Sequence, residues 1–125
     1  MLKNQKKMRK NKIKNKEGLY VHIPFCNKIC SYCNFSKVLY SKKFSQNYLL
    51  KLKDELHKYD EVLFNSIYIG GGTPTSLDEE ELQFLFDILK PYQSENTAIT
   101  IETNPDLSKN KIQILKQNNV KRISI

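Results

Sequence analysis

Cysteine is scarce in this chain, and long apolar runs are missing. Only three cysteines, Cys26, Cys30 and Cys33, occur in 125 residues. An odd count argues against a disulfide framework, which pairs its thiols and belongs to secreted chains. No apolar stretch approaches the ~20 residues that a bilayer-spanning helix needs. No secretory segment is visible either. These absences, with the reduced thiols they imply, lead to an expected cytoplasmic location. Residues 1–17 contain no serine and one arginine, Arg9. That sets aside a mitochondrial transit peptide, which is rich in both.

Acidic residues are sparse only at the N-terminus. Residues 1–17 hold eight basic side chains against Glu17 and carry +7 of the formal net charge of +8. The body of the chain is nearly balanced, so the basic total is no signature of a nucleic-acid-binding domain, and no specific nucleic acid is expected as a partner. The Lys/Asn-rich stretch lacks hydrophobic periodicity and is expected to be disordered.

The body, with the chain 39% hydrophobic, has enough apolar residues for one core. Its pattern alternates. A strand is expected over 19–25, ended by Pro24, then a cysteine loop over 26–36. A helix follows over 44–59, with Phe44, Tyr48, Leu49, Leu52 and Leu56 on one face and Ser41 or Ser45 as cap. A buried strand over 66–70 leads into a glycine loop over 71–76. A helix over 78–90 carries Leu82, Leu85, Phe86 and Leu89 on one face. A strand over 97–103, a turn, a helix ending at Gln117 and a strand over 120–125 complete the order. The expected fold is therefore α/β, with about four parallel strands and three crossover helices. Such folds collect ligands at the C-terminal strand ends. The cysteine loop, the glycine loop and Glu102 all fall there. The chain stops within an apolar strand, so residues 18–125 read as the N-terminal portion of a larger domain, truncated at its C-terminal end, behind a tail over 1–17.

The cysteines form a C-x3-C-x2-C run, which curls one short loop around a point. Three thiolates on one loop can hold three irons of a [4Fe–4S] cluster and leave the fourth without a protein ligand. A small molecule can bind and react at that open iron. Zinc is an alternative, with His22 as fourth ligand, although a histidine in such an alternating strand is more commonly packed or hydrogen-bonded beneath the site; three unrelated structural cysteines are another. Gly70-Gly71-Gly72-Thr73-Pro74-Thr75 follows a strand directly, where bare backbone can grip a ligand or simply turn the chain. It is no phosphate loop, because no lysine follows at the required place. Glu102, at a strand end, is either solvated or available to ribose hydroxyls or an ammonium group. Tyr20 and Tyr32 flank the cysteine loop, as packing residues or as covers for a cofactor.

The segments 19–26 and 33–35 resemble the cluster loop of the radical S-adenosylmethionine (radical SAM) family. Within it they are similar to the oxygen-independent coproporphyrinogen III oxidase-like group. Residues 67–75, 99–105 and 120–125 resemble three later motifs of that group, in order. The resemblance implies a partial (β/α) barrel in which Cys26, Cys30 and Cys33 ligate a [4Fe–4S] cluster. It implies that Tyr20, Tyr32, Gly71, Gly72, Thr73 and Glu102 contact S-adenosylmethionine. It also implies heme or a porphyrinogen as a further ligand and an electron donor such as flavodoxin or ferredoxin. The oxidase pattern carries one more cysteine two residues after the third, where this chain has Phe35. The resemblance is therefore nearer to the heme chaperone HemW branch, with the decarboxylating oxidase as the alternative.

Overall fold

The computed structural model describes residues 13–26, 38–39 and 41–125. Its centre is a four-stranded parallel sheet. The strands are β1 (Ile13–Ile23), β4 (Val62–Gly71), β5 (Gln93–Glu102) and β6 (Val120–Ser124), side by side in that order. Two short strands, β2 (Phe25–Cys26) and β3 (Val38–Leu39), pair with each other in parallel apart from that sheet. Helices α1 (Lys42–Leu56), α2 (Glu79–Leu89) and α3 (Lys109–Gln117) make the crossovers. This is the expected α/β order of four parallel strands and three helices, and the sheet is open rather than closed.

Local chemistry accounts for the boundaries. Asp78 caps α2: its carboxylate accepts the Glu81 N–H at 2.8 Å, while the Glu81 side chain accepts the Asp78 N–H at 3.1 Å. That reciprocal pair meets two otherwise orphaned donors. Ser108 caps α3 by accepting the Lys111 N–H at 3.2 Å. Asn119 follows α3 with φ of 61°, the left-handed residue that commonly ends a helix.

Several boundaries differ from the sequence reading. β1 begins at Ile13 and not at residue 19. Residues 13–15 pair through their backbones with Val62, Leu63 and Phe64, and backbone pairing needs no alternation of side chains. The last part of the stretch expected to be disordered is thus strand. At the start of α1, Ser41 sits at the cap position but its side chain makes no capping bond. Ser45 does not cap either: it lies inside the helix, and its buried hydroxyl donates to Glu81 on α2. Phe44, expected on the apolar face, is 61% exposed, since Ser45 takes the inward position.

One face of the sheet is covered. Val21, Ile23, Ile67, Ile69, Ile99 and Ile101 pack there against Leu49 and Leu56 of α1, Leu82, Leu85, Phe86 and Leu89 of α2, and Leu115 of α3. The strand period of two sends the alternate residues to the other face. The register sets them in rows. Gly18, Ser66 and Ala98 form one row. Tyr20, Tyr68, Thr100 and Arg122 form the next. His22 and Gly70, then Glu102 and Ser124, lie nearest the loops. This second face is open, with Tyr20 56% and Tyr68 36% exposed. Among the described residues, no helix is long and apolar enough to cross a membrane.

Candidate functional site

The loop end of the open face is organised around the Glu102 carboxylate. Oε1 accepts the Gly71 N–H at 2.9 Å, and Oε2 accepts the Tyr68 hydroxyl at 2.6 Å. A carboxylate offers about four lone-pair sites, so positions remain on it for a ligand's donors. The Tyr68 ring stacks on Tyr20, with centroids 6.0 Å apart and planes 17° from parallel. The Tyr20 hydroxyl lies 3.1 Å from His22 Nδ1. The bond to Glu102 raises the Tyr68 phenol above its ordinary value. Partial burial, then the Glu102 charge, does the same for Tyr20. Both phenols are therefore neutral hydrogen-bonding groups near pH 7.

The glycine loop is shaped by close approach. Gly71 has φ of +118°, and a Cβ there would meet Ile23 O at 2.7 Å and the His22 ring at 2.9 Å. A Cβ at Gly70 would meet Glu102 Oε1 at 2.7 Å. Beyond them, Gly72 N–H donates to Ile23 O at 2.8 Å and Thr73 N–H to Phe25 O at 2.8 Å. The loop is thus tied to the chain that leads into Cys26, the last residue of β2. On the other side, the Thr75 and Thr103 hydroxyls are 2.6 Å apart, and Lys111 Nζ donates to Thr75 O at 2.7 Å.

The structure therefore brings Tyr20, Gly71 and Glu102 together, with Gly72 and Thr73 on the adjoining loop. Cys30, Tyr32 and Cys33 lie outside the described residues, and Cys26 is described by its backbone alone. Sequence reasoning missed Tyr68, which it read only as part of a buried strand. Tyr68 carried a signal: a polar-tipped ring between Ile67 and Ile69 fits a strand with one open face, not one buried on both sides.

The described residues fit the hydrogen-bond donors of an aminoacyl nucleoside. A carboxylate with spare acceptor sites, two neutral phenols and a side-chain-free loop stand beside the strand that enters the cysteine run.

Residues 20–125 match the family model "Radical SAM superfamily". The chain is 43% identical over 117 residues to the "Heme chaperone HemW" of Bacillus subtilis, covering 86% of this chain and 31% of that protein. It is 32% identical over 127 residues to the "Oxygen-independent coproporphyrinogen-III oxidase-like protein HemZ" of the same organism, covering 91% and 25%. Among solved structures it is similar to the coproporphyrinogen III oxidase HemN of Escherichia coli. The TM-score is 0.78 at 24% identity, over 94% of this chain and 29% of that one; this likeness concerns the fold. The chain thus spans about a third or less of the length of these three proteins.

Proposed function

The chain belongs to the Radical SAM superfamily, and from that premise we propose that it forms the cofactor-binding part of a heme chaperone. Cys26, Cys30 and Cys33 hold a [4Fe–4S] cluster through three thiolates. Tyr20, Tyr32, Gly71, Gly72, Thr73 and Glu102 bind S-adenosylmethionine beside it, and the complete protein binds heme. The observation that carries the cofactor reading is the Glu102 carboxylate, held by Gly71 and Tyr68 on a rim whose glycine loop is hydrogen-bonded to the segment entering Cys26. When bound, the cluster supplies the electron that can cleave the sulfonium of S-adenosylmethionine. The protein's own part is orientation: the carboxylate accepts ligand donors, the glycine loop lets the ligand reach bare backbone, and the phenols cover its flank.

Two features favour the chaperone. Phe35 stands where the oxidase pattern carries a further cysteine, and the Bacillus subtilis relative at 43% identity is named a heme chaperone. The second reading is an oxygen-independent coproporphyrinogen III oxidase, favoured by the fold it shares with HemN.

Anaerobic reconstitution with iron and sulfide tests the cofactor reading. The parent protein should gain broad absorbance near ~400 nm, as expected of a thiolate-held cluster, and bind S-adenosylmethionine. Cys30→Ala should lose both. Equal iron content in the two proteins would overturn it. The protein at the length its gene encodes should bind hemin and leave coproporphyrinogen III unconverted. Protoporphyrinogen formation well above a protein-free control would select the oxidase instead.

A further inference from the structure

Tyr68 lies on no loop, carries no metal-ligating group and packs no core. Its neighbours Ile67 and Ile69 face the helices and are fully buried, while its own ring is 36% exposed on the open face. A strand needs no hydroxyl at such a position. Yet the Tyr68 hydroxyl reaches across to β5 and donates to Glu102 Oε2 at 2.6 Å. Three residues on, the Gly71 N–H takes the other oxygen at 2.9 Å. A carboxylate held at one oxygen swings freely, because the terminal torsion of a glutamate is broad. Gripped at both oxygens by two groups of β4, it keeps one plane.

The geometry points to Tyr68 as a positioning residue that sets the plane of the Glu102 carboxylate for the hydrogen-bond donors of S-adenosylmethionine. This role rests on the cofactor reading above. Tyr68 donates one hydrogen bond to Oε2 and leaves the remaining acceptor sites turned to the open face. Through its ring it also carries Tyr20, stacked at 6.0 Å, so one side chain joins two candidate ligand contacts on different strands. The bond to Glu102 holds the phenol in its protonated, donating form. Tyr68 moves no proton in this role; it orders the acceptor.

Tyr68→Phe removes the hydroxyl and keeps the stacked ring. In the cluster-loaded protein at its natural length, it should leave the cluster absorbance and melting temperature unchanged. The dissociation constant for S-adenosylmethionine should rise about tenfold, the scale of one hydrogen bond to a charged group. Glu102→Gln should weaken binding too, and adding Tyr68→Phe to it should weaken binding little further, because the two act as one unit. Titration with 5′-deoxyadenosine and with methionine separates the donors. A loss confined to 5′-deoxyadenosine assigns the ribose hydroxyls, and a loss confined to methionine assigns the ammonium.

Unchanged affinity in Tyr68→Phe, with Glu102→Gln impaired, would overturn the role of Tyr68 and leave the cofactor reading standing. So would full additivity of the two losses. A cluster-loaded parent that does not bind S-adenosylmethionine overturns both. A readout without ligand is also available. In ultraviolet difference titration, with each protein read against its own Tyr68→Phe counterpart, Glu102→Gln should let Tyr68 ionise at lower pH. An unchanged ionisation would remove the hydrogen bond on which the role depends.

Discussion

A methyl group placed on Gly70 would stand 2.7 Å from Glu102 Oε1. The two residues lie on neighbouring strands, and the space that glycine leaves is filled by a carboxylate oxygen. Tyr68 Cε1, at 2.9 Å from the same point, closes the other side. Gly70 is therefore required by Glu102, not by a turn.

Gly70→Ala should displace the Glu102 carboxylate and break its bond to the Gly71 N–H. Losing a hydrogen bond to a charged group costs about 1.5–3 kcal/mol. The expected result is at least a tenfold loss of S-adenosylmethionine affinity, with the far-ultraviolet circular dichroism of the sheet and helices retained. Anaerobic calorimetric titration measures the first and a spectrum the second. Parental affinity would show that Glu102 does not contact the ligand.

Gly71→Ala should act differently, on stability first. Its φ of +118° lies where side chains are rarely tolerated, and Ile23 O and the His22 ring crowd the added carbon. Strain of about 1–3 kcal/mol is expected, read as a lower urea midpoint. A midpoint equal to the parent's would mean that the loop relaxes freely.

Asp78 should give the fold an acid-sensitive joint. Burial pushes its carboxyl upward, but the Glu81 backbone N–H and the Lys42 ammonium more than offset this and hold it below its ordinary 3.8. A carboxyl depressed in the folded state adds stability above its unfolded value and loses it as pH falls through the folded one. Asp78→Ala should cost about 1 kcal/mol at neutral pH. The difference from the parent should shrink between about pH 5 and about pH 2. Urea unfolding across that range checks it, and a difference that stays constant with pH would refute the assignment.

Ile69→Ala should be the most costly of these changes. Ile69 is completely buried in the middle of the covered face, and such truncations cost about 2–5 kcal/mol. Equilibrium unfolding of the two proteins measures it. A cost under about 1 kcal/mol would mean that the core collapses into the gap.

Much of this was legible in the sequence, because alternation and caps are local. Asp78 and Glu81 announce the start of α2, and Ile67, Ile69, Ile99 and Ile101 announce strands. The order of strands and helices, and the gathering of Tyr20, Gly71 and Glu102 at one rim, follow from that alternation plus the geometry of parallel sheets. What was not legible depends on partners far away in sequence. Ser45 looks like a cap until Glu81, 36 residues on, claims its hydroxyl. Ile13 looks like tail until Val62 pairs with it. Tyr68 looks like filling in a buried strand until Glu102, 34 residues later, is found at its tip.

The rows of the open face grade along the strands. Nearest the loops are an imidazole and a carboxylate, from His22 and Glu102. One step down are the rings of Tyr20 and Tyr68. The row beyond holds only Gly18, Ser66 and Ala98, and a Cβ on Gly18 would already collide with Ser66 Oγ at 2.5 Å. On the β1–β4 side, a molecule lying on this face therefore meets charge, then π-surface, then nearly bare backbone, with Arg122 of β6 at the far end of the ring row. Its polar end and its flat end are sorted before any other part of a longer protein touches it. Bulk added to the Gly18 row would act as a doorstop, limiting how far such a molecule can settle while leaving its polar end at the rim untouched.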